Sequence, residues 1–397
     1  MSDSGEKIQH GSQSQWPAPD ALAAAHSEQL CRVINERIIA AGGAIPFSEY
    51  MNTVLYEPGL GYYMAGASRF GEAGDFITAP EISPLFGQSL AVQIGQVLDM
   101  VGGGVLELGA GNGKLAAPII RLLEEREGFS YSILEPSAAL AKIQRDWLAD
   151  HLSASAMQSV SWLTSLPENF CGVILANEVL DALPVERFRV SGQIERMCVS
   201  ENLEPVYTQA DSYLSEAVSA IEADCKHVFA SGYSSELCLV FRGWIRSLGS
   251  ALTQGVVLLA DYGYPRREYY LPERTSGTLA CYYRHRMHDD PFYLPGLQDI
   301  TAHVDFTSVA DAAISADMEL LGYTSQASFL LANDLLTLMD KELAHADSES
   351  ERIMLAQAVK QLTLPGEMGE RFQFMALGKG YNHPLRGFAA QDLSHRL

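Results

Sequence analysis

The segment Val105-Leu-Glu-Leu-Gly-Ala-Gly-Asn-Gly-Lys-Leu115 constrains this chain more than any other. It reads as a short apolar strand, three alternating glycines and the start of a helix. Gly109, Gly111 and Gly113 let the backbone turn tightly and let a ligand approach the main chain with no Cβ in the way. The rhythm continues downstream. Residues 131–134, 160–163, 172–176 and 255–260 read as strands, and 115–125 and 138–152 as helices. Strand–helix alternation with nearly continuous apolar strands predicts an α/β fold, a doubly wound and mostly parallel sheet covered on both faces. Ligands of such sheets bind at the carboxyl ends of the strands, where this glycine loop falls.

Three kinds of ligand compete for the loop. A Walker A loop requires G-x-x-x-x-G-K-[ST]. Gly113-Lys114 fits, but Leu115 replaces the hydroxyl and Leu108 stands where the first glycine belongs. A dinucleotide loop requires G-x-G-x-x-G, and its third glycine is Lys114 here. The pattern present is E-x-G-x-G-x-G, with Glu107 in the strand end. A carboxylate beside the loop repels a pyrophosphate and suits a ligand carrying ammonium and sulfonium charge. Glu135 follows the second strand directly, where an acid is placed to accept both ribose hydroxyls of an adenosine cofactor. After the third strand, Trp162-Leu163-Thr164 offers neither acid nor amide for the adenine, which leaves adenine recognition unassigned.

The fourth strand leads into Ala176-Asn-Glu-Val-Leu-Asp-Ala-Leu-Pro184. If a helical turn begins here, Glu178 and Asp181 share one face and can grip a guanidinium bidentately. The competing reading is that Asn177 caps a helix and the two acids complement its dipole. Asp261-Tyr-Gly263 follows the fifth strand, and Asp261 either faces the pocket or fixes the turn at Gly263. Arg284, His285, Arg286 and His288 form a basic cluster read as a solvated loop face, and His303-Val-Asp305 lacks the further ligands a metal needs, so no metal is expected.

Residues 1–19 read as a disordered tail, and 20–100 as an N-terminal helical segment with a long Gly- and aromatic-rich loop at 59–76. Thr78-Ala-Pro-Glu81 has the form of a capping box before a helix over 83–100. The core is expected from 101–186 with 255–263 and 318–380. Insertions at 187–254 and 264–317 then form a substrate-side subdomain. Within them 187–208 reads as antiparallel strands, 235–253 as a crossover helix and 264–305 as loops. Helices are expected at 308–316, 327–339 and 348–362, and a last strand at 371–377.

With 27 Lys and Arg against 49 Asp and Glu, the net charge of −22 argues against a nucleic-acid partner or an anionic membrane surface. It leaves open a cationic substrate such as a Lys- or Arg-bearing protein. No run of eighteen apolar residues occurs, so no membrane insertion is expected. Six scattered cysteines without C-x-x-C spacing read as reduced thiols. With neither an apolar leader nor a basic N-terminal segment, the expected location is the cytoplasm.

Further blocks carry a family resemblance. Tyr50-Met-Asn-Thr-Val-Leu-Tyr-Glu-Pro-Gly-Leu-Gly-Tyr-Tyr63, Gly74-Asp-Phe-Ile-Thr-Ala-Pro-Glu-Ile-Ser83 and Phe86-Gly87 precede the glycine loop. Asn177–Pro184, Asp261–Gly263 and Leu364-Pro-Gly-Glu-Met-Gly369 follow it. In this order they resemble the MidA family of class I S-adenosyl-L-methionine-dependent methyltransferases, over about residues 25–380. The mitochondrial members are protein arginine methyltransferases that assist assembly of respiratory complex I. The resemblance implies a Rossmann-like class I methyltransferase fold, S-adenosyl-L-methionine as cofactor and a protein arginine as acceptor, with a complex I-type subunit as a candidate partner. It shifts Glu178 and Asp181 toward catalysis. It places Glu107, Gly109, Gly111, Gly113, Glu135 and Asn177 at the cofactor, with Gly74-Asp75-Phe76 closing over it and Asp75 meeting its ammonium group.

Overall fold

Eight strands build the central sheet of the computed structural model, which describes residues 17–65 and 78–397. In chain order they are β1 (Gly104–Leu108), β2 (Tyr131–Leu134), β3 (Val160–Leu163), β4 (Phe170–Asn177), β5 (Leu252–Tyr264), β6 (Val304–Asp305), β7 (Glu319–Ser325) and β8 (Phe372–Lys379). Across the sheet the order is β7-β8-β5-β4-β1-β2-β3, with β6 paired to the end of β5. Every pairing is parallel except the two made by β8. The order reverses between β1 and β4, so the glycine loop and the Asn177–Glu178 segment emerge side by side at the switch point.

Helices bury both faces, as the unbroken apolar runs of β4 and β5 require. On one face Leu90, Ile94, Ile119 and Ile120 pack over Val105, Val173 and Leu258. On the other, Phe241, Ile245, Leu248 and Val309 cover Leu106, Ile174 and Leu259. This matches the expected doubly wound sheet.

The insertion departs from expectation in detail. Glu186–Val190, Ile194–Ser200 and Pro205–Gln209 form the predicted antiparallel strands, but two more join them. Ala44–Pro46, from the N-terminal segment, pairs with Ile194–Ser200, and Ser234–Leu237 pairs with Glu186–Val190. The crossover helix is therefore confined to Phe241–Ala251. Ser234–Leu237 is held extended because Glu236, wholly buried, accepts bonds from Thr278 and Tyr269. A helix over Ser212–Cys225, capped by Asp211, was not expected. The stretch expected as loops contributes a second small sheet, Ala280–Tyr283 with Arg286–His288 and Asp299–Thr301. The helix expected at 327–339 is two, Gln326–Ala332 and Leu335–His345, parted where Asp334 adopts a left-handed φ of 63°. Thr78 makes no side-chain cap; Ser83 caps Pro84–Val101 instead.

The expected tail lies outside the described residues except for 17–19, as does Gly74-Asp75-Phe76. Among the described residues no helix is long and apolar enough to cross a membrane, and no His, Cys, Asp and Glu group could hold a metal ion.

Candidate active site

A cavity of about 230 Å³ opens where the carboxyl ends of β1, β2 and β4 meet the N-terminal segment. Its floor is the glycine loop. Gly109 and Gly111 have φ of 65° and 54°, a backbone region that disfavours side chains. A Cβ on Gly109 would meet Val179 at 2.6 Å, whereas one on Gly111 would meet nothing within 4 Å. Bare backbone at Gly111 thus borders open space. Gly113 turns away and packs against Gln144.

Acids stand at both ends of this floor. Glu107 is almost wholly buried and accepts a bond from the Tyr131 hydroxyl at 2.8 Å. Burial pushes its carboxyl up to about 7, and the Tyr131 bond opposes that rise. Glu135 caps the other end. Ser137 N–H donates to its Oε1 at 2.8 Å and Gln144 Nε2 to its Oε2 at 2.9 Å. Burial raises its pKa and these two bonds counter it. Leu134, Pro136 and Leu140 line the cavity beside Glu135.

The segment after β4 contains no helix, so neither the shared-helical-face geometry nor the helix cap at Asn177 applies. Glu178 instead takes a left-handed φ of 53°, with its N–H donated to Ala260 O at 2.8 Å. Asp261 explains why the chain holds this shape. Its Oδ2 accepts N–H bonds from Val179, Leu180 and Asp181 at 2.9 to 3.3 Å, and its Oδ1 accepts the Tyr262 N–H. Neither expected reading of Asp261 holds: it lies within β5, where Gly263 makes no turn, it does not line the cavity, and it fixes the segment after β4 instead. Glu178 lines the cavity beside Asn177, whose Nδ2 donates to it at 3.2 Å, and the Ala79 N–H also bonds it. Withdrawal from water, with Asp181 next, pushes the Glu178 carboxyl up to about 8. Asp181 sits behind this wall, nearly inaccessible, and its burial pushes it up to about 6. The Tyr262 hydroxyl donates to its Oδ2, while its buried Oδ1 has no hydrogen-bond partner among the described residues.

The roof comes from the N-terminal segment, as Tyr56, Tyr62, Tyr63, Met64, Thr78, Pro80 and Glu81. Tyr56 donates to Ala182 O at 3.0 Å and stacks on Tyr63, whose hydroxyl donates to Asp299. Asn112 of the glycine loop donates to Glu81 at 2.9 Å, joining floor to roof. Of the sequence-predicted residues, Glu107, Gly109, Gly111, Glu135, Asn177 and Glu178 line one cavity. Gly113 and Asp181 stand just behind it, and Asp75 is outside the described residues. Sequence reading missed Gln144 and the aromatic roof; only the density of aromatics in 50–63 signalled the latter. His303 is half-buried, stacked on Tyr264 and pushed down to about 4, chiefly by withdrawal of its ring from water. The expected solvated loop face is corrected: Arg284 and His285 form the turn between two strands of the small sheet, whereas Arg286 and His288 lie in the second of those strands and His288 is buried.

Exposed backbone, flanking carboxylates and apolar walls fit an elongated adenosine ligand bearing positive charge, and fit a polyphosphate poorly. Comparison with known proteins agrees. A family described as S-adenosyl-L-methionine-dependent methyltransferases matches residues 89–324. The Drosophila melanogaster mitochondrial protein named protein arginine methyltransferase NDUFAF7 homolog is 27% identical, over 94% of this chain and 91% of its own length. The Mus musculus mitochondrial protein arginine methyltransferase NDUFAF7 is 30% identical, over 85% of this chain and 82% of its own. A crystal structure of a Burkholderia thailandensis superfamily member bound to S-adenosyl-homocysteine is 40% identical. It superposes with a TM-score of 0.89, covering 96% of this chain and all of the other. The curated names correct one expectation: these relatives are mitochondrial and point to mitochondria rather than to the cytoplasm.

Proposed function

The chain belongs to the MidA family of class I S-adenosyl-L-methionine-dependent methyltransferases, and within that activity we propose that it methylates an arginine side chain of a protein. The observation that carries this reading is the position of Glu178. Its carboxylate stands at the end of β4, beside the glycine loop, on a residue held in a backbone conformation that costs about 1–3 kcal/mol. Such strain persists where the surrounding structure over-determines it, and Asp261 does so here.

S-adenosyl-L-methionine, when bound, supplies an electrophilic methyl group on a positively charged sulfur. The residues present would hold it at three points. Glu135 would accept the ribose hydroxyls, the bare backbone at Gly111 would border the sulfonium and the methylenes that lead from it to the amino acid, and Glu107 with Asn177 would face the amino-acid end. Gly109 and Gly113 keep the loop's turns, and Asp75 is proposed as a further partner of the ammonium group. Methyl transfer is an in-line displacement, so alignment in a site shielded from water supplies most of the catalysis. An arginine guanidinium, with a pKa above about 12, is a poor nucleophile. Glu178 draws its positive charge toward one nitrogen and leaves the other free to attack. Asp181, behind it, raises the negative potential at that point. The relatives' names support arginine as the acceptor, and the net charge of −22 favours approach of a basic substrate. We extend the proposal to the substrate's class, a subunit of a complex I-type respiratory assembly, which the family resemblance supports. The small sheet of 280–301 and the five-stranded sheet of the insertion are proposed as its docking side.

Incubation with methyl-labelled S-adenosyl-L-methionine and an extract of the source cells tests this. The expected result is a labelled protein band whose hydrolysate contains methylarginine. Label confined to small metabolites, or absent while the cofactor binds, overturns the arginine reading.

A further inference from the structure

We propose that Gln144 is a positioning residue for the methyl-donor site, holding Glu135 and the glycine loop in register. The inference rests on the reading that Glu135 accepts the ribose hydroxyls. Gln144 lies in the helix Ala138–His151 and is wholly buried. A carboxamide has two N–H donors and one oxygen acceptor, and all are used here. Nε2 donates to Glu135 Oε2 at 2.9 Å and to Gly111 O at 3.0 Å, while Oε1 accepts the Trp162 indole N–H at 3.0 Å. An indole nitrogen only donates, so Trp162 fixes which end of the amide is oxygen. A turned amide would set oxygen against the Glu135 carboxylate and the Gly111 carbonyl together.

The three partners stand at the ends of β1, β2 and β3. One side chain therefore ties together the loops on which the adenosine moiety must rest. Among the described residues Glu135 has one donor on each oxygen, Ser137 N–H and Gln144 Nε2, which leaves one acceptor position on each. Two acceptors side by side match a vicinal diol. Gln144 also acts on charge, since its N–H favours the ionised form of Glu135 against burial. Arg145, 4.6 Å over the Trp162 ring, braces the indole on one face. The residue would then govern cofactor affinity without touching the cofactor.

The test is titration calorimetry with S-adenosyl-L-methionine and S-adenosyl-homocysteine from pH 6 to 9, with unfolding temperatures measured alongside. Gln144→Met keeps the length and removes every bond. Expected is binding weakened roughly tenfold to a hundredfold at pH 7, with the rise in affinity displaced to higher pH. Gln144→Glu sets a second acid against Glu135, so its affinity should rise less with pH than that of the parent protein. Parent-like affinity and pH dependence in both variants overturn the inference, as does a lower unfolding temperature with unchanged affinity. Glu135→Gln separates the two levels. If it leaves binding intact, the reading of Glu135 itself fails. If it weakens binding while Gln144→Met does not, only the role of Gln144 fails. Losses in the double variant should be less than additive, and strict additivity counts against the coupling.

Discussion

Single side chains carry the proposed chemistry, and their protonation makes it measurable. With its carboxyl pushed up to about 8, Glu178 is largely protonated in the free protein at neutral pH. Since kcat/KM reports ionisations of the free enzyme, it should climb with pH and level off above about 8. Glu178→Gln should remove that climb and lower turnover greatly while leaving cofactor affinity nearly intact; equal turnover in both proteins would sink its role. Glu107, at about 7, predicts that a cationic ligand binding at pH 7 drives a proton off. Calorimetry in buffers of different ionisation enthalpy should show that release, and Glu107→Gln should reduce it, leaving the share that Glu178 contributes. Gly111→Val places its side chain in open space, at a φ that costs a β-branched residue about 1–2 kcal/mol or more. Expected is a modest loss of stability and loss of cofactor binding. The alternating glycines and the strand-end acids were legible because residue type and position carry that signal. Gln144 was not, because a glutamine within a helix has no local pattern and acquires its meaning from two other loops. Asp261 was legible as a position but not as a task, since its partners lie about eighty residues back in the chain.

Among the elements, the segment after β4 depends most on a distant partner. Three consecutive N–H groups, those of Val179, Leu180 and Asp181, converge on one buried oxygen of Asp261. Asp261→Ala leaves them without an acceptor, and each buried orphan costs about 1–3 kcal/mol. The expected result is a urea midpoint well below that of the parent and turnover reduced further than stability explains, because Glu178 loses its seat. An unchanged midpoint would refute the clamp. The parallel strands were readable from their apolar runs, and the helices between them from periodicity. Ser234–Leu237 was not, since a buried glutamate in an edge strand defies propensity until Thr278 and Tyr269 are known to meet it. The short strands of 280–301 were hidden for a similar reason: three-residue pairings are set by register with each other, not by local pattern.

For the whole molecule, the buried acids set the response to pH. Glu107, Glu178 and Asp181 all titrate higher when folded than their ordinary values of 4.5, 4.5 and 3.8. The folded state then holds more protons than the unfolded one across that interval, so stability falls as pH rises. Their contribution is complete below about pH 4 and is lost as pH passes through about 6 to 8. Differential scanning calorimetry of the ligand-free protein should give a declining unfolding temperature from pH 5 to 8.5. A cationic ligand should restore more at pH 8 than at pH 6, and a flat profile would refute the account. Architecture at this scale was legible from strand–helix alternation, but the joining of the N-terminal segment to the insertion was not. Ala44–Pro46 finds its partner strand only at Cys198–Ser200. On a ribosome adding about 5–20 residues per second, that partner emerges about eight to thirty seconds after the strand itself. Meanwhile Ile34, Ile38, Phe47 and Val54 lack Val199 and Ile300, against which they finally pack. The nascent chain therefore passes through a period with apolar helix faces uncovered near its start, and holdase chaperones have their natural point of engagement there.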